Sequence, residues 1–183
     1  MDLLKQTFIT NRDVTKCVHD LTRQLDVAEG ACLEAGWRDL EIVPVHGDYN
    51  PWNLLFNQSD EVAAILDFDN CDMGPHLHDV AEMLITFSYM DYQNDSTNFS
   101  APRRVGLDQN TASLLLKSYR GVRPFTAAEL RCLPFVCIST MIELCSLGLL
   151  RRDFDLGSMT NIMATLAAIP RQLKDLTAAE MEI

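Results

Sequence analysis

Three residues of this chain have the types and spacing that phosphoryl transfer requires. Asp48 and Asn53 stand five positions apart in His46-Gly47-Asp48-Tyr49-Asn50-Pro51-Trp52-Asn53, and Asp67 follows within an apolar run at 62–69. Moving a phosphoryl group from ATP to an alcohol needs one carboxylate to position the hydroxyl and take its proton. It also needs an amide oxygen and a second carboxylate to hold the Mg²⁺ ions that bridge the phosphates. The charge pattern points the same way. From residue 39 to residue 102 there is no Lys or Arg, while twelve Asp and Glu fall in that stretch. Like charges crowded into apolar runs call for a counter-charge, and carboxylates with amide oxygens are the hard ligands Mg²⁺ prefers. The plainer reading makes the same three residues turn and cap residues.

The elements that must position them alternate in period. Val14, Val18, Leu21, Leu25, Ala28 and Cys32 recur at gaps of 4, 3, 4, 3 and 4, one face of a helix over 12–35. Asn11 or Asp13 is its expected cap and Gly36 its stop. Runs at 41–46, 53–57 and 62–69 then read as small strands or hairpins, with a polar turn at 58–61. Asp79 followed by Glu82 resembles a capping box, with Val80, Met83, Leu84 and Phe87 behind it. Residues 91–108 read as a surface loop, and 111–120 as a helix stopped by Gly121. Thr126 and Glu129 form a second capping box opening a long apolar segment that Pro134 is expected to kink or restart. A last helix over about 158–176 is expected to be interrupted by Pro170. The expected fold is mainly α with a small β insert, α+β in class, as a single domain over 1–183. Within it, 1–37 is a leading helix, 38–79 carries the catalytic and metal loops, and 80–183 is a helical, substrate-side subdomain.

The string H-G-D-x-x-x-x-N, a short hairpin, and an apolar strand ending Ile65-Leu66-Asp67 together resemble the C-terminal lobe of the aminoglycoside phosphotransferase-like small-molecule kinases. The likeness continues through Gly74-Pro75 and Asp79-Val80-Ala81, similar to that family's G-D-P-x-x-D-L-A segment. Residues 119–126, YRGVRPFT, resemble the homoserine-kinase-like branch. The resemblance spans roughly 12–155 and implies a protein-kinase-like C-lobe. It implies Asp48 as catalytic base, and Asn53 and Asp67 as Mg²⁺ ligands, Asp67 matching the Asp of the protein-kinase D-F-G motif. His46 would brace the catalytic loop, and Asp79 would cap its helix and hold the loop backbone. ATP with Mg²⁺ would be the donor. The acceptor would be a hydroxyl on a small molecule: homoserine or another amino alcohol first, an aminoglycoside second. Asp69 and Asp72 are candidate substrate-side groups for a cationic acceptor, or simply solvate the loop. The family's nucleotide site also uses an N-terminal lobe with a phosphate-covering loop and a strand lysine. The 45 residues before His46 contain only Lys5 and Lys16, neither in a β-type context, and no Gly-rich loop. The expectation is therefore a C-lobe without its N-lobe. The alternative is a non-catalytic, truncated binding or regulatory module. An isolated lobe would expose apolar surface, which predicts self-association or a partner.

Composition bounds the rest. Fifteen Lys and Arg against 26 Asp and Glu give a net charge of −11, which argues against a nucleic-acid-binding face. Six cysteines form no C-x-x-C pair, and the start MDLLKQTFIT lacks an apolar signal core. Reduced, mostly buried thiols in a cytoplasmic protein are expected. Residues 132–150 carry Glu143 as their only charge, yet Pro134, Ser139, Thr140 and Gly148 favour a core helix over a membrane span. His76-x-His78-Asp79 reads as solvated histidines in preference to a metal site, and Trp37 and Trp52 as packing residues in preference to a ligand stack.

Overall fold

The computed structural model describes residues 11–89, 105–151 and 156–181. Five helices carry the mass: α1 (Asn11–Ala35), α2 (Leu77–Ser88), α3 (Gln109–Val122), α4 (Ala127–Arg151) and α5 (Leu156–Met181). Four short strands lie between α1 and α2: β1 (Val43–Val45), β2 (Leu54–Phe56), β3 (Val62–Ile65) and β4 (Asp72–Gly74). The fold is thus mainly α with a small β insert.

Helix α1 buries Leu21, Ala28 and Cys32 against α4, with Cys17 and Leu25 half-buried beside them. Val18, expected on that face, is 49% exposed, because the buried stripe passes through Cys17 instead. Asp13 lies inside the helix rather than before it, and the chain before Asn11 lies outside the described residues. Gly36 does stop α1, in the left-handed region at φ 101°, where a residue with a Cβ is disfavoured. Helix α2 is almost wholly buried, through Leu77, Val80, Ala81, Met83, Leu84 and Ile85, and α4 packs on it. Most of the expected loop at 91–108 lies outside the described residues.

Helix α3 starts on Asp108, whose carboxylate accepts from Thr111 N–H at 2.9 Å, and it runs through Gly121 to Val122. Thr126 N–H donates to Glu129 Oε2 at 2.6 Å and Glu129 N–H donates to Thr126 Oγ1 at 3.2 Å, a reciprocal capping box at the start of α4. Neither Pro134 nor Pro170 breaks its helix. A proline removes one hydrogen bond. Here each stands among fully buried neighbours, Leu133 and Cys137 in α4, Ile169 and Leu173 in α5, whose packing outweighs that loss. Cys32, Cys132, Cys137 and Cys145 are buried free thiols, Cys17 is half-buried, and Cys71 is exposed. No described helix is long and apolar enough to cross a membrane.

The strands form two antiparallel pairs. β1 pairs with β4 (Val43 opposite Gly74, Val45 opposite Asp72), and β2 pairs with β3 (Leu54 opposite Ile65, Phe56 opposite Val62). β4 carries no expectation in the sequence; its three residues read as loop without their partner. The run at 62–69 is extended only to Ile65, since Asp67 turns into the left-handed region at φ 62° and a short 3₁₀ turn, Phe68–Asn70, follows.

Candidate active site

The pairing order places two loops side by side. The chain leaves β1 into residues 46–53 and enters β2, while it leaves β3 into residues 66–71 and enters β4. With β1 on β4 and β2 on β3, both loops are held at both ends by the same two ladders. Their contact is direct. Leu66 N–H donates to the Asn53 carbonyl at 2.8 Å, and the His46 ring lies 4.8 Å from the Phe68 ring, centroid to centroid. Gly47, at φ 75°, leaves no room for a Cβ, which would stand 2.3 Å from the Asn70 carbonyl oxygen.

His46 links the loops through both ring nitrogens. Asp48 N–H donates to its Nδ1 at 3.3 Å, and its Nε2 lies 2.9 Å from the Leu66 carbonyl. Because the carbonyl only accepts, Nε2 carries the proton and Nδ1 the lone pair. The ring is buried and so ties the residue before Asp67 to Asp48.

Asp48 is itself clamped. Asn50 Nδ2 donates to its Oδ1 at 2.6 Å, and Asn53 Nδ2 donates to its Oδ2 at 2.8 Å and to its backbone oxygen at 2.8 Å. The carboxylate is thereby fixed in orientation while each oxygen retains a lone pair for a hydroxyl. Asn53 is buried at the end of the 3₁₀ turn Pro51–Asn53. With its amide nitrogen turned to Asp48, its amide oxygen is the group left to face a cation. Asn50 was not singled out from the sequence. It precedes Pro51 and accepts from Trp52 N–H at 3.0 Å, so the Asn-Pro pair was the available signal.

Helix α2 supports the loop from below with two carboxylates. Asp79 Oδ2 accepts from His46 N–H at 2.8 Å, and its Oδ1 accepts from Gly47 N–H at 2.9 Å. One turn on, Glu82 Oε2 accepts from Tyr49 N–H at 3.0 Å. The pair therefore does not form the helix-capping box expected from its spacing. α2 already begins at Leu77, and both side chains are diverted to the N–H groups of His46, Gly47 and Tyr49 in the loop at 46–53. Burial, followed by the Asp48 charge, pushes the Glu82 carboxyl up to about 7. Its role escaped the sequence reading because its spacing satisfied a cap pattern so well.

Asp67, Asp69 and Asp72 are all exposed. Asp67 follows Leu66, whose N–H binds the Asn53 carbonyl, so the backbones that carry these two residues run side by side. Asp69 follows within the 3₁₀ turn. Asp72 lies in β4 opposite Val45, where its Oδ1 accepts from Met73 N–H at 2.7 Å. Among the described residues no group of three or more His, Cys, Asp and Glu has the arrangement of a metal centre of its own.

The histidines after Gly74 part company. His76, expected to be solvated, is buried. Its Nε2 lies 2.7 Å from Glu129 Oε1, its Nδ1 lies 2.8 Å from the Tyr119 hydroxyl, and Tyr119 and Phe125 stack on its ring. Arg123 completes this cluster, 2.7 Å from Glu41 and 3.8 Å from Glu129, and gives the acidic stretch one cationic partner. His78 is exposed and meets Trp37 edge-on. Trp37 lines a cavity of ≈ 380 Å³ between α1 and α4 that no residue of the catalytic loop enters. Trp52 is 44% exposed at the loop rim, and Leu55 and Phe56 on β2 and Val62 and Ile65 on β3 are exposed as well, with Phe56 opposite Val62.

The geometry can be set beside known proteins. The model of the phosphotransferase enzyme family known as APH matches residues 3–125, a span that contains α1, both loops, α2 and α3. No curated protein matches the chain.

Proposed function

We propose, from the premise that this chain belongs to the phosphotransferase enzyme family, that it transfers the terminal phosphoryl group of ATP to a hydroxyl of a small molecule. The observation that carries this reading is the Asp48 carboxylate clamped by Asn50 and Asn53, with the chain leading into Asp67 hydrogen-bonded to the Asn53 backbone. Asp48 accepts the hydrogen bond of the incoming hydroxyl and takes its proton as the oxygen attacks phosphorus. Asn50 and Asn53 hold that carboxylate in one orientation, so little reordering remains for the reaction itself. Asn53 Oδ1 and the Asp67 carboxylate would hold Mg²⁺, which when bound neutralises phosphate charge and orients the donor. His46 and Asp79 keep the two loops in register.

The acceptor class follows from charge. The open side of the site carries Asp67, Asp69 and Asp72 with no Lys or Arg between residues 39 and 102, which suits an acceptor bearing an ammonium group. Homoserine or a related amino alcohol is the first candidate and an aminoglycoside the second. The exposed apolar strip on β2 and β3 supports the reading of a C-lobe whose partner surface is an N-terminal lobe or a second copy. Light scattering is expected to show concentration-dependent association that Phe56→Ser weakens, and a monodisperse monomer would count against a partner there.

Calorimetric binding of Mg·ATP to the chain, with Asp67→Ala as control, tests the metal–phosphate half of the proposal. Binding is expected for the wild type and a loss of at least about tenfold for the variant, the scale of one lost charged ligand. Equal affinity of the two proteins would remove Asp67 from the site.

A further inference from the structure

We propose that the cavity between α1 and α4 is a second binding site, apart from the catalytic loop, for a small amphiphilic cation: an ammonium group on an apolar body. The site goes beyond the phosphotransfer reading and does not depend on it.

The cavity follows from two helix faces. α1 presents Leu25, Glu29 and Leu33 to it, and α4 presents Val136, Thr140 and Glu143. Each set recurs at steps of three or four residues, the spacing that puts side chains on one face. The two helices meet at Cys32 and Cys132, where each thiol donates to the other residue's backbone carbonyl at 3.8 Å. Further along α4 the face narrows to the short side chains of Ser139 and Thr140, and a space of ≈ 380 Å³ stays open. Small-molecule pockets begin at about 300 Å³, so the space is of ligand size. From Val136 to Glu143 the α4 stripe runs for about 10 Å of helix axis.

The lining has an apolar half and a charged half. Leu25, Leu33, Val136 and the Trp37 indole form the first. Leu33 is 49% exposed and Trp37 half-buried, so a ligand would take apolar surface of the protein out of water along with its own. His78 meets Trp37 edge-on with the ring centroids 5.4 Å apart, which holds the indole at the wall. The charged half is the Glu29 and Glu143 carboxylates, one from each helix, and no Lys or Arg is among the described residues that line the space. An anion would meet like charge there, on a chain whose net charge is already −11. A cation gains from both carboxylates, and an indole is the aromatic ring that attracts cations best. The apolar half gives that cation a reason to leave water, so the ligand class needs both parts.

The test uses Trp52→Phe in the full chain, which leaves Trp37 as its one tryptophan. Trp37 emission is followed during titration with three probes that share one body: 4-phenylbutylamine, 4-phenylbutanol and 4-phenylbutanoate. The amine is expected to give a saturable change, the alcohol to bind at least about tenfold more weakly, and the acid to give none. Adding Glu29→Gln and Glu143→Gln should bring the amine down to the affinity of the alcohol. Both positions are exposed, and an unchanged thermal melt shows that the fold is kept. Asp69→Asn with Asp72→Asn, on the open side of the catalytic site, should leave amine binding as it was. Equal affinity for amine and alcohol, or the absence of a saturable change, overturns the proposal. So does amine binding that survives loss of the two glutamates or disappears with Asp69 and Asp72. Every readout is binding, so a chain that transfers no phosphate leaves this result intact, and a failure here leaves the phosphotransfer reading intact.

Discussion

Removing the Asp79 carboxylate should loosen the catalytic loop by an amount that follows from its bonds. Asp79 accepts two backbone N–H groups, His46 at 2.8 Å and Gly47 at 2.9 Å. Bonds to an ionised acceptor contribute about 1.5–3 kcal/mol each, and a buried donor left without a partner costs about 1–3 kcal/mol. His46 is 7% exposed, so its amide keeps most of that cost, whereas Gly47 is exposed and water replaces much of its bond. Asp79→Asn keeps the shape but offers one acceptor oxygen and one opposing NH₂. The sum is a destabilisation of about 3 kcal/mol, a large share of the 5–15 kcal/mol typical of a domain. For a chain of this size, each kcal/mol moves the melting temperature by about 2–4 °C, so a fall of about 6–12 °C is expected. Urea unfolding followed by circular dichroism reads the free energy directly, with an unchanged slope showing that the same surface is exposed. A variant within about 0.5 kcal/mol of the wild type would refute the claim that these two bonds hold the loop.

Other outcomes follow from the same geometry. Gly47→Ala places a Cβ 2.3 Å from the Asn70 carbonyl oxygen at φ 75°. Backbone strain and the collision of the two loops should together cost about 2–3 kcal/mol, read as a lowered urea midpoint; a near-neutral variant would contradict the close approach. Burial alone would raise the Glu129 carboxyl, yet the Thr126 N–H bond and His76 bring it below the usual carboxylate value. A group depressed in the folded state contributes stability above its unfolded pKa and loses it as pH falls through the folded value. The wild type should therefore lose stability on acidification below the ordinary carboxylate range. Glu129→Gln should be less stable at neutral pH and show a shallower acid loss, checked by thermal melts from pH 3 to 7.

Local chemistry made the outline of this protein readable from its residues, and tertiary context supplied the remainder. Helix α1 and the Thr126–Glu129 box follow from spacing and capping that act within a few residues, and Gly36 stops α1 for a reason internal to the backbone. The Asp48-to-Asn53 spacing was equally local, as one turn carries both side chains. Failures came where a distant partner decides. Asp79 and Glu82 have cap spacing, but amides more than thirty positions earlier in the chain take their carboxylates. His76 is buried because Glu129 and Tyr119, brought by α3 and α4, give its ring two partners. β4 exists only because Val43–Val45 pairs with it. Pro134 and Pro170 stay within helices because packing on both sides exceeds the loss of one hydrogen bond each.

The most direct test of the whole account is transfer of labelled phosphate from Mg·ATP to homoserine, with other amino alcohols and an aminoglycoside in parallel, by the wild type and by Asp48→Asn. The account predicts a phosphorylated product from at least one acceptor, and a rate at least about a hundredfold lower when the base is lost. Equal transfer by the two proteins would contradict the assignment of Asp48 as the group that takes the hydroxyl proton.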